Sequence, residues 1–577
     1  VSDFEPSVAT VSPAVATERT PPPGWVWIVV AGILAHWLVP LTDYVLWDGW
    51  WYASDLVRTE GPSTMARLFH EVGRPLDMMF YAPMRWLGGN PVVWSKLWSS
   101  AAWIGSAVAM ADVLHRAGRA PKAVAVAAAV LAVTLPVFDL LGELALWMNV
   151  GAILLFWIGW VIVSRLPAMS GWPSAGARLA ALSLFFVSFD LNSNLVMFYA
   201  VAVTLACLRS SESSWKAWGV RMAWLAIRHA DFLAMPVIFW VWKTVFTPTN
   251  GYYATGYNQP SLNPIGLAVG YLVMASNFLV TGVLELLSNT PWIVVSLAVG
   301  AGFAYVLRVS HWRAPTPVPM RLGLSLVAWG FFLLLAAGFP YIAVGQPLAS
   351  EGWWSRNCVL CGLPLGLIAC GMATLINAIW LQRHSTAWLV TVAIIAALGI
   401  GATNRNYLVY QAFGAKQKAA HRILHDVIEQ TGSCVVQVRD YMPVPHTIPY
   451  YPPIIWSFIA SGTAASPRAF AFDSSGIAPD RYEAGVDGDA IRIPPRLQLS
   501  SRALKDSMEE TTLPYALESV PLRGPQVLVT LDPARKDLPA PQLGLSYLLL
   551  SWFSPEERDK LVASLIQPTT YAIGPVE

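Results

Sequence analysis

The sequence predicts an all-α polytopic membrane domain of about eleven transmembrane helices, followed by a small extracytoplasmic α/β or α+β domain. Three observations carry this reading. First, 55% of the 577 residues are hydrophobic and only 12% are Asp, Glu, Lys or Arg, about half the charged fraction of an ordinary soluble protein. Second, a mean hydropathy of +0.50 accompanies repeated apolar runs and 28 Trp, the signature of membrane spans with aromatic belts. Third, charge density steps up at Asn404: 34 of the 174 residues from there onward are charged, against 38 of the preceding 403. Disorder, collagen and disulfide-rich scaffolds are excluded. A net charge of +2 supplies no field to hold nucleic acid, and the five scattered cysteines form no disulfide framework.

The first apolar run, 24–41, lacks a basic stretch ahead of it and ends in bulky His36-Trp37-Leu38-Val39, so it reads as a retained first span with 1–23 as a cytoplasmic tail. Further spans are expected at 92–114, 122–138, 144–164, 178–190, 195–208, 231–246, 291–307, 322–344, 358–381 and 386–402. The apolar segment 265–288, with Glu285 as its one acid, reads as re-entrant or interfacial. A full crossing there would put Arg308, Arg313 and Arg321 opposite the other basic loops. Those loops, with Arg116, Arg119 and Lys122, with Arg209, Lys216, Arg221 and Arg228, and with Arg383, are expected to be cytoplasmic by the positive-inside rule. The outer face then receives loop 42–91, the Asp139/Glu143 turn, the loops around 247–264 and 345–357, and the domain 404–577. That domain reads as a helix over Tyr407–Gln430 stopping at Gly432, then strands at 434–438, 470–472 and 527–531 between Pro- and Gly-rich loops.

The chemistry-bearing residues fall on this outer side. Loop 42–91 holds Asp43 and Asp48 among Tyr44, Trp47, Trp50, Trp51 and Tyr52, then His70-Glu71-Val72-Gly73-Arg74-Pro75-Leu76-Asp77. A carboxylate just beyond a helix end can take a proton from an acceptor hydroxyl while aromatic faces hold a sugar ring or lipid chain; Arg74 offers a fork for phosphate oxygens. The plainer reading is a belt of interfacial aromatics and a turn at Gly73-Arg74-Pro75. In a late outer loop, Glu351-Gly352-Trp353-Trp354-Ser355-Arg356 sets Arg356 where it could neutralise a departing lipid phosphate, or snorkel beside Glu351. Lys243 precedes Asn250-Gly251-Tyr252-Tyr253-Ala254-Thr255-Gly256-Tyr257-Asn258, a loop able to cover a substrate. Cys358-x-x-Cys361 stands alone at the start of an apolar helix and reads as two small apolar residues. No nucleotide-binding, hydrolase or metal motif is present, and no metal or cofactor is expected.

With Trp47-Asp48-Gly49-Trp50 after the first span, Gly73-Arg74-Pro75-Leu76 later in that loop, Arg356 and the helix-then-strand C-terminal domain, the chain resembles the GT-C superfamily of polytopic glycosyltransferases, in particular the bacterial O-antigen glucosyltransferase type. The resemblance implies sugar transfer from a polyprenyl-phosphate donor to an envelope glycan or glycolipid acceptor, at the outer face of the bacterial inner membrane. It implies a catalytic base in the first outer loop, Asp48 with Asp43 in reserve, and substrate contacts from Arg74, Glu71, Arg356, Glu351 and Tyr257. The alternative is a lipid or polysaccharide transporter or flippase. Such proteins place ionisable groups near the bilayer midplane, whereas here they gather at one rim.

Overall fold

The computed structural model describes residues 23–46, 49–50, 66, 69–81, 90–192, 194–209, 215–250, 260–287, 298, 300–302, 319–350, 352–380, 385–432, 435–440, 456, 459–460, 470–473, 486–487, 490–491, 525–534 and 539–575. Its helices in chain order are α1 (Gly24–His36), α2 (Pro91–Arg116), α3 (Lys122–Thr134), α4 (Trp147–Arg165), α5 (Gly171–Leu191), α6 (Leu195–Arg209), α7 (Trp215–Arg228), α8 (Ala230–Phe246), α9 (Pro264–Ser276), α10 (Gly282–Leu287), α11 (Met320–Ile342), α12 (Gly362–Ile379), α13 (Ser385–Thr431), α14 (Ala540–Phe553) and α15 (Pro555–Leu565). Among the described residues eight helical segments are long and apolar enough to cross a membrane, or nine if α7 and α8, bent by 67° at His229, form one broken span.

This count differs from the eleven expected. The expected spans at 122–138 and 195–208 are short helices, and most of 291–307 lies outside the described residues. The 13 residues of α3 carry Ala and Val on every face, and all but Lys122 are buried. A helix apolar all round belongs inside a bundle, and α3 packs against α1, α2, α12 and α13. Small residues permit the close approach: a Cβ on Gly366 of α12 would lie 2.7 Å from Ala132 N, and one on Gly399 of α13 2.5 Å from Thr134 O.

The segment Pro264–Leu284, expected to be re-entrant or interfacial, passes the length and hydropathy test for a membrane span and is one of the eight. Ser261 N donates to Ala343 O at 2.6 Å, Tyr271 Oη to Leu335 O at 3.0 Å and Asn277 Nδ2 to Leu348 O at 2.7 Å. An antiparallel neighbour would meet ever earlier residues of α11. The first two contacts run antiparallel along α11, from Ala343 back to Leu335, and the third joins the loop beyond it.

The expected domain boundary after 403 falls inside one helix. With 47 residues at 1.5 Å each, α13 is about 70 Å long, more than twice the hydrocarbon thickness. Its first half packs in the bundle: Asn404 Nδ2 donates to Leu34 O at 2.9 Å, and His36 pairs with Tyr407 Oη at 2.8 Å and Val133 O at 2.7 Å. Beyond Gly432, which ends the helix at φ +65°, strands β1 (Val435–Asp440), β2 (Phe470–Asp473), the two-residue pair β3 (Val486–Asp487) and β4 (Ala490–Ile491), β5 (Pro525–Pro533) and β6 (Ile566–Pro575) follow. The main sheet has the order β2-β1-β5-β6, with β1 parallel to β2 and β5, and β5 antiparallel to β6. The three strands read from the sequence are β1, β2 and β5. Helix α14 folds back onto α13, so closely that a Cβ on Gly544 would collide with Leu408 O.

Candidate functional site

The bundle has an upper end, which carries the segments 42–46, 69–81, 135–146, 343–350 and 352–361, and a lower end, which carries 117–121 and 166–170. Two polar clusters occupy the upper end. The first begins with a tight turn. Arg74 N donates to Phe69 O at 2.7 Å and Gly73 N to His70 O at 3.0 Å. Gly73 sits at φ +74°, and a Cβ there would lie 2.8 Å from Thr247 O, so this turn requires glycine. Pro75 then opens the short 3-10 turn Pro75–Asp77.

That geometry sends the Arg74 guanidinium to the C-terminal end of α5. Nε donates to Asp190 O at 3.2 Å, and one terminal nitrogen, Nη2, donates both to Asn149 Oδ1 at 3.1 Å and to Leu191 O. A cation on the last carbonyls of a helix satisfies them and complements the dipole. Asp190 answers by accepting from Leu76 N at 3.0 Å through Oδ2, while Lys243 Nζ of α8 lies 4.0 Å from its Oδ1. Asp77, 3% exposed, lies 3.9 Å from Arg74 Nε. Neither Asp77 Oδ1 nor Asp190 Oδ1 has a hydrogen-bond partner among the described residues. Burial raises the Asp77 carboxyl, Arg74 opposes, Asp190 adds to the rise and Lys243 opposes; the net value is about 7. The loop after α8 joins the same turn, because Asn250 N donates to Glu71 O at 2.8 Å. Glu71 thus contributes a backbone acceptor here.

On the other flank, Tyr341 at the end of α11 donates to Asn192 Oδ1 at 3.2 Å. The guanidinium charges of both Arg74 and Arg356 act on this phenol. Arg356 lies over the Trp354 ring at 5.4 Å, on a short helix entered through Gly352 at φ +69°. Arg74 and Lys243, read from separate stretches of sequence, therefore meet at Asp190, and the Arg356 charge reaches the Tyr341 phenol. Cys358 and Cys361 are fully buried beside it, with the Cys358 thiol against Ala349 O at 3.1 Å. Burial holds that thiol well above its ordinary value, the setting of an inert apolar residue.

The second cluster surrounds Asp43. Its Oδ1 accepts from Gln411 Nε2 at 3.0 Å while its backbone N–H donates to Gln411 Oε1 at 3.0 Å. Oδ2 accepts from Tyr547 Oη at 2.9 Å and pairs with the Lys418 ammonium. Burial alone would raise this carboxyl. The Lys418 charge and hydrogen bond, the Tyr547 hydroxyl and the Lys96 charge outweigh it, so the net shift is downward. Such a carboxylate stays an anion but is a weak base, which suits anchoring better than proton abstraction. Beneath it Lys96 Nζ, 1% exposed at the level of the residue, donates to Thr42 O at 3.0 Å, Thr42 Oγ1 at 3.2 Å and Tyr44 O at 2.9 Å. Glu143 accepts from Leu46 N at 2.9 Å, and a Cβ on Gly49 would strike its Oε1. Gly49 thus rests against a buried carboxylate. Asp48, Glu351 and Tyr257 lie outside the described residues.

Sequence reasoning passed over Asp190, Asn149, Tyr341, Glu143 and Lys96 as site residues. Asp190 had a usable signal, being the one carboxylate in the run 178–190, and an ionisable group in an apolar span marks a site. Asn149 and Tyr341 carry no such mark, since polar residues at helix ends are common. Comparison of the chain with models of protein families and with characterised proteins finds no match.

Proposed function

We propose that the chain is an integral membrane glycosyltransferase that moves a sugar from a polyprenyl-phosphate donor to an envelope glycan or lipid acceptor on the outer face of the membrane. The observation that carries this reading is the meeting of Arg74 and Lys243 at Asp190, with Tyr341 on the adjoining Asn192, at the end of the bundle where Asp43 and Gly49 also lie. A lipid-phosphate donor needs cations for its phosphate at a helix-bundle rim, and a base for the acceptor hydroxyl nearby. Arg356 and Lys243 are the cations assigned to the phosphate. Arg74, committed in large part to the end of α5, positions the turn that carries Asp77. Asp48 is the proposed base, its neighbour Gly49 lying against Glu143, and Asp43 is the anchor of the loop.

The upper end is taken as extracytoplasmic, the membrane as the bacterial inner membrane. Comparing surface glycans of cells with and without the gene tests the reading. A lost sugar substituent on an envelope glycan is the expected result. Unchanged glycan structure with a lipid-linked precursor accumulating on the inner leaflet would favour the transporter reading instead.

A further inference from the structure

Away from the upper end, a cavity of about 840 Å³ opens between α1, α2 and α4. Along its length the wall is apolar, with Trp25 and Ile28 from α1, Ile104 and Val108 from α2, and Leu154 and Ile158 from α4. Gly105 deepens it, since a Cβ there would already approach Leu154 Cδ1 at 3.1 Å. At the lower end the lining changes character to Asp112, His115, Arg116, Lys122 and Arg165. The Asp112 carboxylate brackets two guanidinium groups, with Arg116 Nε at 2.7 Å and an Arg165 terminal nitrogen at 3.3 Å, each arginine side chain about half exposed. Lys122 has no ion pair among the described residues, and its stem lies against the first turn of α1. Three cations against one carboxylate leave a surplus of two positive charges.

We infer that this groove binds an anionic phospholipid of the bilayer, its acyl chain along α1, α2 and α4 and its phosphate between Arg116, Arg165 and Lys122. The apolar wall is open to the lipid phase, and hydrocarbon is what fills a groove of that kind. Guanidinium groups held in place by Asp112 present donors at a fixed height, and basic pockets between spans at the cytoplasmic side select anionic headgroups. The basic loops put this lower end on the side where anionic lipids concentrate. A zwitterionic headgroup would bring its own cation against the same residues. Because the groove lies at the end of the bundle opposite the proposed sugar-transfer site, the inference stands apart from that proposal.

The test uses the full chain in detergent, incubated with phosphatidylglycerol and phosphatidylcholine at equal concentration, with retained lipids counted by native mass spectrometry. The wild type should retain phosphatidylglycerol preferentially. Lys122→Gln should cut that preference about 5-fold and R116Q/R165Q about 30-fold, at roughly one surface cation's contribution each. Gly105→Leu, which fills the groove, should lower retention of both lipids. The melting temperature of each variant is measured in parallel, and Lys122→Gln, an exposed residue, keeps the test interpretable where the double variant is destabilised. Equal retention of the two lipids by the wild type would overturn the inference, as would an undiminished preference in Lys122→Gln. Polyprenyl phosphate displacing phosphatidylglycerol at equal concentration would overturn the assignment to a bilayer phospholipid.

Discussion

Asp77 and Asp43 are both carboxylates of the upper end, yet their surroundings push them in opposite directions. Burial dominates at Asp77 and lifts it to about 7; at Asp43 the Lys418 and Tyr547 partners overcome burial and lower it. For Asp77 the folded pKa exceeds the unfolded one, so its contribution to stability is fully present below about pH 4 and is lost as pH rises through about 7. A shift of that size corresponds to a few kcal/mol. Thermal unfolding of Asp77→Asn and wild type from pH 5 to pH 8 should therefore diverge, with the Asn variant gaining relative stability at the alkaline end. A difference independent of pH would mean that Asp77 does not titrate in this range. Arg74 shows what residue patterns can and cannot convey. Gly73-Arg74-Pro75 announced a turn with a functional arginine, but the acceptors of that arginine are mainly backbone carbonyls of α5, which any residue type could supply.

Helices α13 and α14 form the joint between the bundle and the C-terminal sheet. Three features hold it: Gly544 against Leu408 O, Tyr547 on Asp43, and Gln411 clasping the Asp43 backbone and side chain. Removing the hydroxyl in Tyr547→Phe takes a hydrogen bond from a charged acceptor and should cost about 1.5–3 kcal/mol. Gly544→Ala forces backbone apart and should cost about 1–3 kcal/mol. Hydrogen exchange should report both as faster exchange in α14 with α2 and α4 unchanged; unaltered protection in α14 would remove the joint. Hydropathy put the end of the last apolar stretch near 402, yet the chain continues as helix through Asn404 and Arg405 to Thr431. The step in charge carries no information about a backbone break, and α13 stays buried beyond it, from Tyr407 through Ala420 with Lys418 the one exposed residue between them. The same limit explains α3. Its Ala and Val identify a buried helix, but hydropathy cannot distinguish burial in protein from burial in lipid.

Across the molecule the two ends differ in kind, with basic loops and a phosphate-sized cluster of cations below, and buried carboxylates, arginines and aromatics above. The helical bundle was legible from the apolar runs, whereas Pro264–Leu284, read as interfacial from the arginines that follow it, is long and apolar enough to cross a membrane. The meeting of Arg74 and Lys243 at Asp190 was not legible, because no local pattern encodes which loops of a bundle touch. Alkaline phosphatase fused after Gly432, where α13 stops, should be active if the upper end is extracytoplasmic, and an inactive fusion would move the proposed site to the cytoplasm. The most direct test is transfer by the purified chain in nanodiscs, supplied with polyprenyl-phosphate-linked sugar and envelope glycan, with donor binding measured on the same preparations. Wild type should transfer sugar, Asp48→Asn should lose about 100- to 10,000-fold in rate with donor binding nearly intact, and Asp43→Asn should lose less. Donor binding without transfer by the wild type, or near-normal transfer by Asp48→Asn, would contradict the assignment of this chain as a glycosyltransferase with its base at Asp48.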